Sequence, residues 1–259
     1  MTFQAMVPQG GVTGWRLLNL TKPSQLKVLS AAPETKSLTT YFRDHIKSVK
    51  TVDDLMGDRR LLQVALTAFG LENDINSKAF IRKVLADGTV SDKAFANRLA
   101  DKRYLQFAQA FGFTDLPVPR TQLTKFPDEI ITKFVNARFQ TAVGEKDSDL
   151  RLAMTLSEGL TGIMDAQKSD NGRWYGVMGN LSVRKVFEGA LGLPSSFGKL
   201  SLDQQLVGFR KGLERLTGKS EISALTDPAL QDKLIRTFLV RSQAQSLTSS
   251  SSILGILRR

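Results

Sequence analysis

The chain has 259 residues, of which 41% are hydrophobic and 24% charged, so it is long enough to bury a sizeable core. It contains no cysteine and a single histidine, which excludes disulfides, thiolate metal sites and histidine-rich zinc sites. Its formal net charge is +11, and no apolar run approaches the roughly 20 residues of a membrane-spanning helix.

Much of the positive charge lies at the two ends of the chain. Residues 1–30 hold three basic residues and no acid, and residues 240–259 also hold three and none. A nucleic-acid-binding protein usually concentrates Lys and Arg on one face of its fold. The distribution therefore favours a solvated basic surface and disfavours nucleic acid as a partner. A basic nucleic-acid-binding regulator remains the alternative function.

Residues 1–35 are predicted to form an irregular N-terminal arm. Pro8, the pair Gly10-Gly11 and Pro23 interrupt this stretch, although several apolar residues lie between them. Residues 1–10 have neither a basic region nor an apolar core, so we expect no cleaved secretory signal.

From residue 36 onward, apolar residues recur at the spacing of an amphipathic helix, and alternating β-branched runs are lacking. The predicted fold class is therefore all-α. The predicted helices span about residues 37–50, 58–69, 77–86, 91–98, 101–111, 129–143, 147–167, 180–191, 202–216 and 229–246.

One segment of the sequence is used more than once. Met56–Leu71 and Met178–Leu193 have the same length, open on Met-Gly followed by Asp or Asn, and close on Gly-Leu. A third copy, one residue shorter counted from its Asp, runs from Asp101 to Phe113. In each copy, we expect the Asp or Asn to cap a helix and the glycine to end it in the left-handed conformation of a Schellman motif.

The repeat predicts a helical bundle built from two related multi-helix units, with irregular N- and C-terminal arms. Each unit leaves an apolar face that needs cover, so two of them pack together more readily than either stands alone. The expected organisation is an arm at 1–35, a single helical domain at 36–245 and a flexible tail at 246–259. Within that domain lie a repeat unit at about 51–113, connecting helices at about 126–168 and a repeat unit at about 174–240.

The two arms carry the residues that we expect to bind a partner. The run Ser249–Ser252 has the composition of a flexible linker, and apolar side chains beyond a linker usually bury against some surface. Three surfaces remain open: the body of the same chain, a partner protein or an anionic membrane. The predicted partner-binding residues are Trp15, Leu17, Leu18, Ile253, Leu254, Ile256, Leu257, Arg258 and Arg259.

No arrangement of residues predicts catalysis. A nucleophilic triad needs a base, and the one histidine, His45, lies on a charged helix face between Asp44 and Lys47, which is typical of a surface histidine. No Walker loop and no G-x-G-x-x-G fingerprint occurs. We therefore predict no catalytic, cofactor-binding or metal-binding residue, no cofactor and no enzyme.

Two further groups of residues attract attention. The acidic stretch Glu72–Asn76 lacks the spacing and the glycine of an EF-hand, and capping of a helix at Ser77 explains it better. Trp174 and Tyr175 offer a binding surface in principle, but we expect them to pack where the two halves of the chain meet.

The chain resembles a bacterial family of unknown function over roughly residues 40–240. The resemblance is carried by the stretches Asp58–Leu62, Ala68–Asn76, Ala79–Leu85, Ala96–Tyr104, Trp174–Tyr175, Ala190–Pro194 and Asp227–Pro228. Members of that family are often encoded in flagellar gene clusters. The resemblance implies a non-enzymatic role linked to motility, and it offers no catalytic residues to carry over.

Together these observations predict a protein-interaction or accessory protein associated with the bacterial flagellum. Its expected partner is a protein, such as a flagellar component. The expected location is the cytoplasm, or outside it after export by a flagellar-type route that leaves no cleaved signal.

Overall fold

The structure is a computed structural model that describes the backbone of residues 3–256 and the side chains of residues 3–246. Within that part of the chain the regular elements are helices, which confirms the all-α prediction. In chain order they are α1 (Gly11–Ala31), α2 (Pro33–His45), α3 (Val52–Gly57), α4 (Arg59–Thr67), α5 (Lys78–Ala86), α6 (Phe95–Arg98), α7 (Arg103–Phe111), α8 (Phe126–Gly144), α9 (Ser148–Ala166), α10 (Asp170–Gly179), α11 (Leu181–Leu191), α12 (Leu202–Thr217) and α13 (Pro228–Ile256).

The chain divides into two compact units. Unit 1 comprises Met1–Ala5 and Thr21–Ala142, and unit 2 comprises Met6–Leu20 and Val143–Arg259. Short 3₁₀ turns connect several of the helices at Ile46–Ser48, Glu72–Asp74, Arg120–Gln122, Ser195–Lys199 and Ile222–Thr226.

Unit 1 is held together by helices that pack in pairs around aromatic residues. Helix α2 packs on α4, α3 on α5, and α5 on α7. Buried Phe107, Phe111 and Phe126 form a chain of edge-to-face contacts, with 5.1 Å between each successive pair of ring centroids. Such geometry favours aromatic pairs beyond the area that they bury.

Unit 2 is organised around α11, which packs against both α9 and α13. Glycine makes one of these contacts possible, because a Cβ added to Gly189 of α11 would lie 2.7 Å from the ring of Phe238 on α13. Val186 and Phe187 of α11 are fully buried. The apolar stripe predicted for this repeat copy is therefore the centre of the core of unit 2.

The structure has the predicted caps and stops at both long repeat copies. The side chain of Asp58 accepts from the N–H groups of the first turn of α4, and Asn180 does so for α11. Gly70 and Gly192 have φ of +68° and +66°, the left-handed conformation that favours glycine. These local matches explain the conspicuous sequence pattern, whereas the duplication of a whole multi-helix unit stays a prediction.

The N-terminal stretch differs from its prediction, because residues 11–31 form helix α1 and are not irregular. Pro23 lies inside this helix, where a missing N–H normally costs about 3 kcal/mol. Burial offsets that cost, since Leu18 and Leu29 are only 2% and 1% exposed while Pro23 lies in the exposed part of the helix. Tertiary packing therefore outweighs the helix-breaking tendency of Pro23, which is visible in the sequence.

The C-terminal stretch also differs from its prediction, because the backbone of α13 is helical as far as Ile256 and includes the serine run Ser249–Ser252. Extending an existing helix adds one hydrogen bond per residue and requires no new nucleus. The domain boundaries predicted from the sequence remain predictions.

Candidate functional site

Of the N-terminal residues predicted to bind a partner, Leu18 is buried, and Trp15 and Leu17 are half-buried. The start of α1 lies against other residues of unit 2, since a Cβ added to Gly11 would lie 2.5 Å from Oε1 of Gln243. Leu18 is therefore part of the protein's own core. Trp15 and Leu17 retain partial exposure.

The C-terminal residues of that prediction lie beyond the last side chain that the structure describes. Ile253, Leu254 and Ile256 lie in the part of α13 whose side chains are not described, and residues 257–259, which include Leu257, Arg258 and Arg259, lie outside the described residues. The described part of α13 shows how the helix approaches them. Its last buried residue is Leu239, and Val240 is 57% exposed.

Trp174 does not lie where the sequence suggested. It is fully buried inside unit 2, with ring centroids 5.7 Å from Phe187 and 5.8 Å from Phe209. Its indole Nε1–H donates to the carbonyl oxygen of Ser220 at 3.1 Å. All these partners belong to unit 2, so Trp174 is a core residue of that unit, while Tyr175 is 42% exposed.

Sequence reasoning missed a groove on unit 1 that brings several polar side chains together. Its cavity volume is about 440 Å³, and it is formed by one face of α2 together with the start of α4. The lining residues are Pro33, Lys36, Ser37, Thr40, Tyr41, Asp44, His45 and Arg60. The α2 residues recur three or four apart, and that spacing was the available signal.

Tyr41 is the centre of this groove. The guanidinium carbon of Arg60 lies 3.8 Å from the centroid of the Tyr41 ring, and the imidazole of His45 stacks on the same ring at 4.0 Å. Two groups this close to the ring cannot share one face, so they lie on opposite faces. An exposed cation–π contact of this kind is worth about 0.5–1 kcal/mol.

Asp58 fixes the position of the Tyr41 ring. One carboxylate oxygen accepts from the backbone N–H groups of Arg60 and Leu61 at 2.9 and 3.0 Å, which caps α4. The other oxygen accepts from the hydroxyl of Tyr41 at 2.7 Å. One carboxylate therefore begins a helix and fixes the tyrosine ring against that helix.

These contacts shift the pKa values of both partners. Burial alone would raise the pKa of Asp58, but hydrogen bonds from Leu61, Tyr41 and Arg60 outweigh it and hold that pKa below its ordinary value. The hydrogen bond to Asp58, followed by burial, raises the pKa of Tyr41. Near neutral pH the pair is a neutral phenol that donates to a carboxylate.

The imidazole of His45 has a fixed orientation in the groove. Its Nδ1 lies 2.9 Å from the carbonyl oxygen of Tyr41, and a carbonyl only accepts, so Nδ1 carries a proton. His45 is exposed, as predicted for a surface histidine. With Lys36 and Arg60, it gives the groove a set of donors that suit an acidic group on a binding partner.

A second polar cluster on unit 1 contains the acidic stretch Glu72–Asn76. The carboxylate of Asp74 accepts from the hydroxyl of Tyr104 at 2.7 Å, so it does not cap the helix at Ser77, and the capping prediction is wrong for this side chain. Burial, together with this hydrogen bond, raises the pKa of Tyr104 to about 12. The hydrogen bond between Tyr104 and Asp74 joins α7 to the 3₁₀ turn Glu72–Asp74.

Two properties concern the described residues as a whole. No group of three or more His, Asp or Glu side chains placed to hold a metal ion is found among them. None of the helices in that part of the chain is both long enough and apolar enough to cross a membrane.

Comparison with known proteins gives the family. The family described as "Protein of unknown function (DUF1217)" matches residues 68–230, which is more than half of the chain. The chain belongs to this family. The resemblance seen in the sequence is thereby confirmed at the level of a family of unknown function.

Two further comparisons place the family member among other proteins. A solved structure, protein AGR_C_984 from Agrobacterium tumefaciens, is similar with a TM-score of 0.74 and 28% identity, over 90% of this chain and 93% of that one. No protein with a curated function matches the sequence. The family match contains the Trp174 core and the Tyr104 cluster, whereas the Tyr41 groove lies before its first residue.

Proposed function

We propose that this member of the family is a non-enzymatic interaction protein, an accessory component associated with the bacterial flagellum. The observation that carries the proposal is the course of α13. This helix packs on unit 2 through Leu234, Ile235, Phe238 and Leu239, and its backbone continues as a helix to Ile256. Val240, which follows the last of these buried residues, is 57% exposed, and an exposed apolar side chain on a helix offers a contact for another protein.

The flagellar part of the proposal is supported by the resemblance over residues 40–240 to proteins encoded in flagellar gene clusters. The non-enzymatic part is supported by the roles that charged side chains have in the described residues. Asp58 caps a helix, and Arg184 pairs with Glu188 on the same helix at 2.7 Å. Both roles stabilise the fold.

The test compares two tagged forms of the protein in a strain that lacks the gene. One form is full-length, and the other ends at Ser246. We expect the full-length form to restore swimming and to recover identified flagellar proteins, and the shortened form to do neither. Normal swimming of the deletion strain, with no flagellar protein recovered by the full-length form, would overturn the proposal.

A thermal measurement separates loss of a partner from loss of the fold. In the described part of α13 the last buried residue is Leu239, and we expect removal of residues 247–259 to leave the unfolding transition nearly unchanged. A matched control is Val90→Asp, which alters a side chain 82% exposed on unit 1 and should keep both swimming and partner recovery. A large fall in the transition temperature of the shortened form would show that the end of α13 packs on the body.

A further inference from the structure

The Tyr41 groove has the size of a small-molecule site. Its volume is about 440 Å³, and sites for small ligands commonly measure about 300–1,000 Å³. The residues that line it belong to α2 and to the start of α4, so the whole groove lies within unit 1. A single phosphate or carboxylate group fills only a small part of it, which leaves room for the molecule that carries such a group.

The ring of Tyr41 offers a ligand no open face. The guanidinium of Arg60 covers one face at 3.8 Å, and the imidazole of His45 covers the other at 4.0 Å. The Tyr41 hydroxyl is bonded to Asp58. A flat ligand such as a nucleobase therefore cannot stack on this ring, and recognition depends on the polar groups that lie along the groove.

Hydrogen-bond donors gather at the Ser37 end of the groove. Nη2 of Arg60 donates to the carbonyl oxygen of Ser37 at 3.4 Å and to its hydroxyl at 3.2 Å. Among the described residues, Nε and Nη1 of Arg60 have no acceptor, and no acid lies within ion-pair distance of Arg60 or of Lys36. The ring and Ser37 thus hold a guanidinium whose remaining N–H groups are available to a ligand.

The charges of the groove are separated along its length and are not in excess. Lys36 and Arg60 lie at one end, whereas Asp44 follows Lys36 by eight residues, a rise of about 12 Å along α2. With Asp58 behind the ring, two cations face two acids. Both oxygens of Asp58 already accept hydrogen bonds, so Asp44 is the carboxylate of the groove that a ligand can reach.

The other charged side chains of α2 are paired outside the groove. Glu34 pairs with Arg138 at 3.0 Å, and Arg43 pairs with Asp128 at 2.9 Å. These pairs add no net charge to the groove. A ligand that fits it therefore carries an anionic group at one end and a hydrogen-bond donor at the other.

We propose that the Tyr41 groove binds a small phosphate ester that bears hydroxyl groups, such as a sugar phosphate. The terminal phosphate oxygens accept from Arg60 and Lys36, which approach from two different elements of the fold. A hydroxyl group at the other end of the ligand donates to the carboxylate of Asp44. This inference does not depend on the flagellar proposal.

The experiment is isothermal titration calorimetry of the full-length protein in a buffer free of phosphate. The four probes are glucose 6-phosphate, inorganic phosphate, glucose and glucuronate, which has a carboxylate where glucose 6-phosphate has its phosphate. Glucose 6-phosphate should bind more tightly than inorganic phosphate, since it also reaches Asp44. Glucuronate should bind more weakly than glucose 6-phosphate, and glucose should give no measurable binding.

Substitution of a lysine assigns the phosphate to its end of the groove. Lys36→Gln should weaken the binding of glucose 6-phosphate by about tenfold, the effect of one charge-assisted hydrogen bond. Lys36 is exposed, so the change should leave the circular dichroism spectrum and the thermal transition unaltered. The matched control is Lys93→Gln, a change at an exposed lysine elsewhere on unit 1, and it should bind like the unchanged protein.

Substitution of Asp44 tests the other end. Asp44→Ala removes repulsion of the phosphate group equally for glucose 6-phosphate and for inorganic phosphate, so the ratio of the two affinities cancels that effect. The ratio should fall by about fivefold, because only the sugar phosphate loses a hydrogen bond. An unchanged ratio would show that the ligand does not reach Asp44.

Nuclear magnetic resonance locates the ligand. The chain has one histidine, so the ring protons of His45 give signals that need no assignment against other histidines. These signals should shift during titration with glucose 6-phosphate and give the same dissociation constant as calorimetry. Binding detected by calorimetry without a shift at His45 would place the ligand elsewhere, and the proposal would fall.

Three further results would overturn the proposal. The first is no binding of glucose 6-phosphate. The second is binding of glucuronate or of inorganic phosphate at least as tight as that of glucose 6-phosphate. The third is unchanged binding of glucose 6-phosphate by the Lys36→Gln variant.

Discussion

Asp58 and Asn180 occupy the same local position in two different parts of the chain. Each ends one helix and caps the next, with φ and ψ of −105° and 105° at Asp58 and of −97° and 105° at Asn180. Each side chain accepts a backbone N–H from the third residue after it. Asp58 accepts two further hydrogen bonds that Asn180 does not, from the backbone N–H of Arg60 and from the hydroxyl of Tyr41.

This difference predicts unequal costs of removing the two caps. Asn180→Ala should destabilise unit 2 by about 1 kcal/mol, the usual cost of a lost N-cap. Asp58→Ala should destabilise unit 1 by more than Asn180→Ala destabilises unit 2, because it also removes the hydrogen bonds from Arg60 and Tyr41. Urea unfolding measures both values. Equal losses would contradict the double role of Asp58.

The stability of unit 1 should depend on the ionisation of Asp58. Its folded pKa lies below the ordinary value of 3.8, so its contribution is present above pH 3.8 and is lost as the pH falls through the folded value. Asp58→Asn retains a capping side chain but cannot ionise. We therefore expect its free energy of unfolding to fall less steeply than that of the unchanged protein as the pH is lowered below 3.8.

Tyr104 should ionise at unusually high pH. Its pKa of about 12 has burial as the largest cause, followed by the hydrogen bond to Asp74. Because the folded pKa is raised, the stability that it contributes is fully present below pH 10 and is lost between about pH 10 and 12. Asp74→Asn removes the negative charge and should lower this pKa while leaving it above 10.0, as measured by absorbance at 295 nm.

Glycine substitutions distinguish a helix stop from an ordinary helical glycine. Gly192 has φ of +66° and lies against the guanidinium of Arg241, so Gly192→Ala should cost about 1–2 kcal/mol or more. Gly179, the last residue of α10, has nothing within 4 Å of an added Cβ. Gly179→Ala should be neutral or stabilise unit 2 by up to about 1 kcal/mol. Thermal unfolding of both variants, compared with the unchanged protein, measures the two effects.

The arginine pairs bear on the nucleic-acid alternative. Arg43, Arg82 and Arg138 pair with Asp128, Asp53 and Glu34 at 2.8–3.0 Å, so the charges of these three arginines are balanced by acids of the same unit. We expect only weak binding to duplex DNA. A plot of log affinity against log salt concentration with a slope of several units would instead indicate many phosphate contacts and support the nucleic-acid regulator.

Features that depend on neighbours in the sequence could be predicted from it. Asp147 caps α9, and Ser201 forms a capping box with Gln204 at the start of α12, close to the predicted helix starts. A capping side chain and a left-handed glycine require only the residues within one helical turn of them. Such signals are therefore visible without knowledge of the fold.

Features that depend on distant residues could not be predicted. Tyr41 and Asp58 are 17 residues apart, and Thr121 and Val49 are 72 residues apart. No spacing rule connects such pairs, so neither the Tyr41 groove nor the hydrogen bond that fixes the segment between α7 and α8 could be predicted from the sequence. The helical state of residues 11–31 was missed for the same reason, since burial of Leu18 and Leu29 decides it.

The membership of Met6–Leu20 in unit 2 has a consequence for synthesis of the protein. These residues are synthesised well before the other residues of their unit, which begin at Val143, and Gly11 meets Gln243 only after the more than 200 residues between them have been made. The helices of unit 1 are synthesised in this interval, and most of the residues that they pack against belong to the same stretch of the chain. Unit 2 must instead close a loop of more than 200 residues, so we expect its completion to be the slower step of folding.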